Sequence, residues 1–353
     1  MTSVGIIGAS GYTGAELLRL CAQHPQFDVK FATGDSQAGT PIAELYPSLA
    51  GAYGDTVFET YDPAVVDGLD LVFLGLPHGA SQEVVPDLLG RVGGIVDLAA
   101  DFRLTDAELY PTWYGSTHTR PDLLGQFAFG LPELFRPEIV GNDKVAAPGC
   151  YVTAATLALA PLLRAGLVAP TGIVVDAASG ASGAGRPPKP TTTFCTIDED
   201  FTAYGLLTHR HTPEIEQALT AVAADGNAGE DAGGGVQVLF TPHMAPMNRG
   251  ILATCYARPT GPVTTAGLLD VLHETWRDEP FVVASERSPS TKATLGSNAA
   301  HVTVRADERT GWVVAIAALD NLVKGASGQA VQCANLVAGL PEATGLTVTG
   351  LFP

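Results

Sequence analysis

The chain has 353 residues, 46% of them hydrophobic and 16% charged, which is enough length for two domains and enough apolar surface for a sizeable core. Its formal net charge of −18 repels nucleic acid and anionic membrane surfaces, and so excludes both as main partners. The charge is compatible with a small anionic substrate, provided that some of the 19 Lys and Arg residues lie close to the site.

The first part of the chain alternates strand-like and helix-like segments. Apolar runs typical of buried strands occur at residues 4–8, 29–33, 71–75 and 95–98. Helical patterns lie between some of them, at 14–23 and 81–89. This alternation predicts a parallel sheet covered by helices.

Three glycines directly after the first strand predict a nucleotide-binding loop. Gly8 permits a tight turn, Gly11 lets the backbone approach a pyrophosphate, and Gly14 lets the following helix pack close to the sheet. Phosphate would then lie at the helix N-terminus, where free N–H groups and the helix dipole favour anions. The spacing Gly-x-x-Gly-x-x-Gly varies the usual fingerprint, and a plain strand-to-helix turn is the alternative.

A second loop of the same kind follows the strand predicted at 71–75. It reads Leu76-Pro77-His78-Gly79 and lies at the carboxyl end of a strand, where ligands bind in open sheets. On its own, His78 is more typical of an ordinary surface loop position.

Cys150 is the candidate nucleophile. Pro148 and Gly149 end the preceding strand in a sharp turn, so Cys150 falls in the first turn of a helix predicted at 151–165. N–H groups and the helix dipole stabilise a thiolate there, and a thiolate attacks acyl groups to form a thioester. The alternative, a buried structural thiol, fits Cys21, Cys255 and Cys333, which lie within apolar patterns.

Beyond Cys150 the pattern becomes β-rich. Strands are predicted at 173–177, 236–241, 251–257, 301–305 and 312–319, with a helix at 212–224 and a last helix at 325–340. The strands lack a helix between every pair, which predicts a second domain with a mostly antiparallel sheet. Residues 225–235, rich in Gly, are expected to form a surface loop.

Two histidines and a carboxylate converge at the start of the helix predicted at 212–224. His209 and His211 precede it, Thr212 suits the N-cap, Pro213 the first helical position, and Glu214 the first turn. The helix dipole disfavours an imidazolium while the carboxylate favours it, so a histidine here could titrate near neutral pH, as a general acid needs. The residues alone do not decide which histidine acts.

A loop of small and hydroxyl residues follows the strand predicted at 173–177. It runs from Ser179 to Arg186, and it could cradle phosphate or serve as a flexible linker. The segments 101–103, with Arg103, and 248–250 are weaker candidates for anion binding.

The cysteine usage and the N-terminus indicate a cytoplasmic protein. The five cysteines are odd in number and contain no Cys-x-x-Cys pair, which argues against disulfides and zinc and for a reducing compartment. Segment 1–8 lacks the features of a signal peptide, and no run reaches the roughly 18 apolar residues of a membrane span. We expect no metal.

Several of these segments together resemble the N-acetyl-gamma-glutamyl-phosphate reductases of the aspartate-semialdehyde dehydrogenase superfamily. The matching motifs run from residue 4 to about 335 and comprise residues 8–14, 76–79, 148–153 with Pro161, 209–214 and 321–330. Each motif alone is weak, whereas the set is highly specific.

The resemblance implies an α/β fold with a Rossmann dinucleotide-binding domain at 1–148 and 322–353. Residues 149–321 would form an α+β catalytic domain of the glyceraldehyde-3-phosphate dehydrogenase type. It further implies NADP as cofactor, a small-molecule acyl phosphate as substrate, and a homodimer or homotetramer.

The resemblance also implies roles for individual residues. Cys150 would attack the acyl phosphate, phosphate would leave, and NADPH would reduce the thioester. A histidine would protonate the oxygen, and alignment order favours His209, with His211 and Glu214 as support or substrate contacts. The implied cofactor contacts are Gly8, Ser10, Gly11, Tyr12, Thr13, Gly14, Ser36, Leu76, Pro77, His78, Ser179, Gly180, Gly183, Asn321, Gly325 and Gly328. The implied substrate contacts are Ser182, Arg186, Arg210 and Arg103.

One segment departs from the family pattern, which often has a Ser-Arg pair after the second strand. Residues 33–37 here are Thr-Gly-Asp-Ser-Gln, and an acidic residue at Asp35 is typical of NAD binding. We expect NADP nevertheless, with Gly34 turning the carboxylate outward, Thr33 and Ser36 donating to the 2′-phosphate, and Lys30 or another nearby cation supplying charge.

Two alternatives stay open at this point. One is reduction of another acyl phosphate, such as an aspartyl or aminoadipyl phosphate. The other is a nucleotide-binding regulatory protein without catalysis, against which a helix-start cysteine and a histidine pair argue.

Overall fold

A computed structural model describes residues 1–226 and 235–353, and in it the chain forms two compact units. The first unit comprises Met1–Pro111, Ser116–Pro148 and Ala326–Leu346. The second comprises Thr112–Gly115, Gly149–Gly325 and Thr347–Pro353. The loop expected at 225–235 falls mostly on 227–234, outside the described residues.

Strands and helices follow one another along both units. The strands are β1 (Thr2–Ile7), β2 (Phe27–Ala32), β3 (Leu71–Leu74), β4 (Ile95–Asp97), β5 (Ala128–Phe129), β6 (Lys144–Ala146), β7 (Ile173–Ser179), β8 (Thr202–Ala203), β9 (Val238–Met244), β10 (Ile251–Ala257), β11 (Val282–Ala284), β12 (Ala300–Asp307) and β13 (Trp312–Leu319). The helices are α1 (Tyr12–Gln23), α2 (Ile42–Leu45), α3 (Ala50–Tyr53), α4 (Ala80–Leu88), α5 (Leu109–Tyr114), α6 (Pro132–Ile139), α7 (Cys150–Arg164), α8 (Phe194–Ile197), α9 (His211–Ala224), α10 (Thr265–Trp276) and α11 (Gly328–Val337).

The first unit, all of whose residues are described, contains a six-stranded sheet in the order β2-β1-β3-β4-β6-β5. Every pair of neighbouring strands is parallel, as the alternating pattern predicts. All four residues of β3 are buried, which fits a strand covered on both faces. The last helix, α11, belongs to this unit, where Gln329 Nε2 donates to the carbonyl of Gly130 at 2.9 Å.

Within the described part of the second unit, the strands form one mixed sheet in the order β11-β12-β13-β10-β7-β9-β8. Pairs β12–β13, β13–β10, β10–β7 and β9–β8 are antiparallel, while β11–β12 and β7–β9 are parallel. The prediction of a mostly antiparallel sheet is therefore confirmed.

Helix α7 is the buried helix of the second unit. Its residues from Tyr151 to Leu163 are all buried, and it packs against α9, β10 and β13. Four of these thirteen residues are alanine, whose small side chain allows close approach. Cys150 at its start is thus held by the core of the unit.

The C-terminal tail differs from the division expected from the sequence, which put all of 322–353 with the nucleotide-binding part. Asn298 N–H donates to the carbonyl of Thr347, and Leu351 N–H donates to the carbonyl of Leu295, both at 2.8 Å. These bonds hold Thr347–Pro353 in the second unit. The functional division at 148/149 and 321/322 stays a prediction.

Candidate active site

The glycine loop between β1 and α1 has the geometry of a phosphate cradle. Gly8 has a positive φ of +86°, and a Cβ there would lie 2.6 Å from the carbonyl oxygen of Gly75. A Cβ on Gly14 would lie 2.4 Å from Cα of Ala9. At Gly11 the nearest atom would be 3.8 Å away, so this position is open to an approaching pyrophosphate.

The start of α1 also suits an anion. Its N-cap is Gly11, which has no side chain to occupy the free N–H groups, and the first turn is Tyr-Thr-Gly-Ala, without an acidic residue. A dinucleotide pyrophosphate therefore fits this end of the sheet.

The segment after β2 is bonded directly to the glycine loop. Ala9 N–H donates to the carbonyl of Thr33 at 2.7 Å, Gly8 N–H donates to Thr33 Oγ1 at 3.0 Å, and Ser10 Oγ donates to the carbonyl of Gly34 at 3.0 Å. Thr33 is 3% exposed, so the expectation that its hydroxyl binds a 2′-phosphate is wrong. Ser36 is exposed.

The turn at Asp35 is formed differently from what we expected. Gly34 has φ −122°, whereas Asp35 itself adopts φ +47° and is exposed. Glycine is required at 34 for another reason, because a Cβ would lie 2.6 Å from Cβ of Phe58. Lys30, named as a source of charge, pairs with Asp28.

Asp101 anchors the loop 76–79, a role that the sequence did not reveal. This buried carboxylate accepts from Gly79 N–H at 2.7 Å, from Ser81 N–H at 3.0 Å and from Gln82 Nε2 at 3.1 Å, and lies 2.6 Å from His78 Nδ1. Burial raises the pKa of Asp101, but these hydrogen bonds outweigh it and the pKa is lowered. The ionised Asp101 thus caps α4 and holds His78.

Arg103 lies near the same strand end, in the first unit. It is 9% exposed, and its guanidinium donates to the carbonyl of Leu98 at 2.7 Å. Arg103 thus helps to hold the segment after β4 in place. The sequence had predicted Arg103 only as a substrate contact.

Cys150 is the first residue of α7, as predicted from the Pro-Gly turn. Gly149 is the N-cap in an extended conformation (φ −66°, ψ 150°), and Cys150 is partly exposed. A Cβ on Gly325 would lie 2.7 Å from Cβ of Cys150, so glycine allows the chain to pass beside the cysteine.

The other cysteines lack this setting. Cys21, Cys255 and Cys333 are buried, and burial raises the pKa of Cys21 to about 12. Cys195 is exposed on α8. Cys150 alone among the five, all of which are described, combines exposure with the first turn of a long helix.

His211 and Glu214 both contact the turn that presents Cys150. A Cβ on Gly149 would lie 2.3 Å from His211 Nε2, so the imidazole packs on the bare Cα of this glycine. Glu214 is fully buried, and its Oε1 accepts from Gly149 N–H at 2.7 Å. The sequence did not indicate this role for Gly149.

His209 lies among aromatic rings beside the same turn. Its imidazole meets the rings of Tyr151, Tyr204 and Phe240 edge to face at 5.2–5.7 Å. His211 N–H donates to His209 Nδ1 at 3.1 Å, which places the proton of the neutral imidazole on Nε2.

The electrostatics of His209 contradict the expected near-neutral titration. Burial, and then the charge of Arg210, lower the pKa of His209 to about 4. The carboxylate expected to oppose this effect, Glu214, instead accepts a hydrogen bond from Gly149. His209 is therefore neutral at pH 7.

Two tyrosine hydroxyls complete the surroundings of Cys150. Tyr151 and Tyr204 lie 3.0 Å apart, oxygen to oxygen. Burial raises the pKa of Tyr204 to about 12, although the hydrogen bond with Tyr151 lowers it. Tyr204 was not among the residues singled out from the sequence.

The start of α9 is also shifted from the sequence-based position. The helix begins at His211 with Arg210 as its N-cap, so Thr212 is inside the helix and not its cap. Thr212 N–H donates to the carbonyl of His209 at 3.0 Å, which continues the turn backwards. Arg210 is exposed.

Asn321 joins two of the predicted anion-binding loops. Its Oδ1 accepts from Gly250 N–H at 2.7 Å and its Nδ2 donates to Ser182 Oγ at 2.9 Å. A Cβ on Gly180 would lie 2.6 Å from the carbonyl oxygen of Asn248, so glycine allows the loops to touch. Asn321 thus orients Ser182. The sequence had predicted Asn321 only as a contact of the nicotinamide.

The remaining residues singled out have the following positions. Arg186 and Ser182 are partly exposed in the loop after β7, where Ser179 is buried and Gly183 exposed. Arg249 Nη1 lies 3.6 Å from the buried carboxylate of Asp320. Gly328 begins α11 in the first unit.

Residues 1–226 and 235–353 contain neither a group of metal ligands nor an apolar spanning helix. In this part of the chain, no three His, Cys, Asp or Glu side chains are grouped to hold a metal ion. No helix within these ranges is long and apolar enough to cross a membrane.

Family models match most of the chain. Residues 3–141 match the model described as semialdehyde dehydrogenase, NAD binding domain. Residues 150–321 match semialdehyde dehydrogenase, dimerisation domain.

Solved structures share the fold over both units. Aspartate semialdehyde dehydrogenase II of Vibrio cholerae, complexed with ASA, superposes with a TM-score of 0.70 at 15% identity, covering 96% of this chain and 98% of that one. The aspartate semialdehyde dehydrogenase of Candida albicans, solved with NADP, gives a TM-score of 0.67 at 14% identity with the same coverage. The fold class expected from the sequence is confirmed.

Closer relatives carry one name, N-acetyl-gamma-glutamyl-phosphate reductase. The proteins from Citrifermentans bemidjiense, Magnetococcus marinus and Symbiobacterium thermophilum are 45%, 46% and 47% identical to this chain. The alignments cover 100%, 99% and 98% of this chain and 100%, 98% and 98% of the relatives, respectively. Full-length similarity at this level shows that the chain belongs to the N-acetyl-gamma-glutamyl-phosphate reductase family of semialdehyde dehydrogenases.

Proposed function

We propose that the chain reduces N-acetyl-gamma-glutamyl phosphate to N-acetylglutamate 5-semialdehyde with NADPH, in arginine biosynthesis, through a thioester on Cys150. The family supports the reaction. The observation that carries the mechanism is Cys150 itself, a partly exposed thiol at the start of α7 whose turn is contacted by His211 and Glu214.

In the first half of the reaction, the Cys150 thiolate attacks the acyl carbon. A bond forms between the acyl carbon and the Cys150 sulfur. The bond between the acyl carbon and the phosphate oxygen breaks, and inorganic phosphate leaves with the electron pair of that bond. The first turn of α7 favours the thiolate, because its free N–H groups and the helix dipole lower the free energy of an anion.

In the second half, the loop from Gly8 to Gly14 would hold NADPH, which would supply the hydride that reduces the thioester. The thioester oxygen would then carry the negative charge of a thiohemiacetal anion, and this anion would collapse as the C–S bond breaks and the C=O bond re-forms. The aldehyde and the Cys150 thiolate are the products of this step.

His209 is proposed to bind the reacting oxygen. A neutral imidazole with its proton on Nε2 donates a hydrogen bond to developing negative charge without carrying charge itself. His211 and Glu214 hold the Gly149 turn, and so fix the position of the nucleophile. The exposed Arg210, with Arg186 and Ser182, would bind the anionic groups of the substrate.

NADP is proposed to bind at the end of the first sheet. The pyrophosphate fits the loop from Gly8 to Gly14, with Ser10, Tyr12 and Thr13 around it, and the loop 76–79 held by Asp101 flanks the site. Gly325 lies beside Cys150, and its contact with the nicotinamide stays a prediction. Ser36, Ser179, Gly180, Gly183, Asn321 and Gly328 stay predicted contacts.

We also propose a homo-oligomer, a dimer or a tetramer, located in the cytoplasm. The dimerisation-domain model over 150–321 supports self-association. All five cysteines lie among the described residues and none of them forms a disulfide, which supports a reducing compartment.

The reverse reaction tests the proposal. N-acetylglutamate 5-semialdehyde and phosphate should reduce NADP⁺ on this enzyme, with strict dependence on both. Aspartate semialdehyde and aminoadipate semialdehyde serve as comparison substrates. A higher kcat/KM with either of them would overturn the substrate assignment, and no reduction with any of the three would overturn the activity.

A further inference from the structure

We infer that Asp35 sets the cofactor preference of this chain, with its carboxylate at the position of the adenosine ribose. There the carboxylate accepts a hydrogen bond from the 2′-hydroxyl of NADH and weakens the binding of the 2′-phosphate of NADPH. The inference rests on the proposed binding of NADP at the glycine loop. It concerns one side of that site, and can fail while the site itself stands.

Residue 35 directly follows a segment that is hydrogen-bonded to the glycine loop. Three hydrogen bonds join the segment after β2 to the glycine loop: Ala9 N–H and Gly8 N–H donate to Thr33, and Ser10 Oγ donates to the carbonyl of Gly34. Asp35 follows immediately. A ligand whose pyrophosphate lies against Gly8–Gly14 therefore has its adenosine ribose beside residue 35, as in open parallel sheets generally.

Hydrogen bonds on both sides hold the backbone around residue 35 in place. Gly34 N–H donates to the carbonyl of Glu59 at 3.0 Å, and Gln37 N–H donates back to the carbonyl of Gly34 at 2.9 Å. From the other side, the Tyr46 hydroxyl donates to the carbonyl of Ser10 at 2.8 Å. The loop is therefore bonded on both flanks, and residue 35 cannot move away from the glycine loop without breaking these bonds.

The loop around residue 35 has a negative formal charge. Residues 31–40 read Phe-Ala-Thr-Gly-Asp-Ser-Gln-Ala-Gly-Thr, so the only formal charge in this segment is that of Asp35. On β2, Lys30 pairs with Asp28. The buried Thr33 hydroxyl accepts from Gly8, and the N–H groups of Gly34 and of residues 37–40 donate to backbone carbonyls, so the exposed Ser36 is the side-chain donor that the loop offers to a phosphate.

The consequence for the two cofactors is opposite in sign. A carboxylate accepts a hydrogen bond from a ribose 2′-hydroxyl and repels a 2′-phosphate, which is itself negatively charged. The chain should thus bind NADPH through neutral donors against a nearby carboxylate, and discriminate weakly between NADPH and NADH.

The test is a binding titration that does not depend on turnover. NADPH and NADH are titrated separately into the full-length chain, by calorimetry or by fluorescence of the reduced nicotinamide, for the wild type and for Asp35→Asn. Asparagine is a good replacement because it tolerates the positive φ of this position. Asp55→Asn, which removes an exposed carboxylate elsewhere in the first unit, is the matched control for net charge.

We expect Asp35→Asn to raise the ratio of the NADH to the NADPH dissociation constant by about tenfold, because NADPH binds more tightly and NADH less tightly. Asp55→Asn should leave this ratio unchanged. An unchanged ratio in Asp35→Asn, or an equal shift in both variants, would overturn the inference alone. Failure of the wild type to bind either cofactor would overturn the proposed cofactor site, and this inference with it.

Discussion

At the scale of the residue, the thiol of Cys150 has a setting that no other cysteine of the chain shares. We expect Cys150→Ser to abolish turnover while nucleotide binding persists, because a serine hydroxyl is not ionised in the first turn of α7 and cannot form the thioester. Cys195→Ser, which changes an exposed thiol on α8, should keep the wild-type rate. Steady-state rates of both variants check this; more than a few per cent of the rate in Cys150→Ser would contradict the covalent mechanism.

The two histidines beside Cys150 should respond differently to substitution. His209→Asn is expected to lower the chemical step by about 10²–10³-fold, the usual effect of losing one hydrogen-bond donor to the oxygen that becomes negative in the transition state. His211→Asn should act mainly on substrate affinity, because we expect this ring to contact the substrate from its position against Gly149. Single-turnover rates and KM values of both variants decide the assignment, and the reversed pattern would move the catalytic role to His211.

Residue roles were predictable where local geometry requires one residue type. The positive φ of Gly8 and the close packing of Gly14 follow from a strand-turn-helix pattern, and both are found. The roles of Asp101 and Gly149 were not predictable, because their partners are distant in sequence: Gly149 meets Glu214 65 positions later. The pKa of His209 depends on burial, which no sequence pattern measures.

At the scale of the element, the contact between α9 and the first turn of α7 depends on glycine at position 149, which has no side chain. We expect Gly149→Ala to lower kcat/KM by about 10²-fold, because its Cβ would lie 2.3 Å from Nε2 of the buried His211 and must displace the ring. The backbone at 149 (φ −66°, ψ 150°) suits alanine, so strain is not the cause.

Gly51→Ala is the control for this substitution, since no heavy atom lies within 4 Å of the Cβ it adds. Thermal unfolding of both variants shows whether the fold survives. Wild-type kcat/KM in Gly149→Ala would mean that the contact between His211 and the Cys150 turn has no part in the reaction.

Elements with a clear hydrophobic period were predictable, and short or interrupted ones were not. Strands such as β10 and β13 were placed correctly, whereas β5 and β6 have two and three residues and show no period. The helix predicted at 325–340 begins later, because Val323–Ser327 forms a π-helical turn before α11. Helix α10 was missed, although Thr264 caps it by accepting from Gly267 N–H at 3.2 Å.

At the scale of the whole molecule, buried histidines should make the protein sensitive to acid. Burial lowers the pKa of His24, His118, His209 and His301, in the case of His209 to about 4. An unfolded histidine titrates near 6.5. Between pH 6.5 and 4 the unfolded chain thus binds more protons than the folded protein. The free energy of unfolding is therefore highest above pH 6.5 and falls as the pH is lowered towards 4.

The contribution of His209 can be isolated by substitution. It amounts to about 3 kcal/mol at most when the pH is lowered from 6.5 to 4. The midpoint of thermal unfolding, measured over this range, should fall less steeply in His209→Asn than in the wild type. Equal slopes would show that His209 titrates normally in the folded protein.

The two-unit organisation was largely predictable from the change of pattern at Cys150, where helix-strand alternation gives way to consecutive strands. The assignment of the C-terminal tail was not, because single backbone bonds such as the one from Leu351 to Leu295 leave no pattern in the sequence.

The most direct test of the central claim is to trap the acyl enzyme. The protein is mixed with N-acetyl-gamma-glutamyl phosphate without NADPH, quenched in acid, and digested for mass spectrometry. One N-acetylglutamyl group should appear on the peptide that contains Cys150, phosphate should be released in equal amount, and Cys150→Ser should show neither. Phosphate release without an adduct on Cys150, or an adduct on another cysteine, would contradict the thioester mechanism.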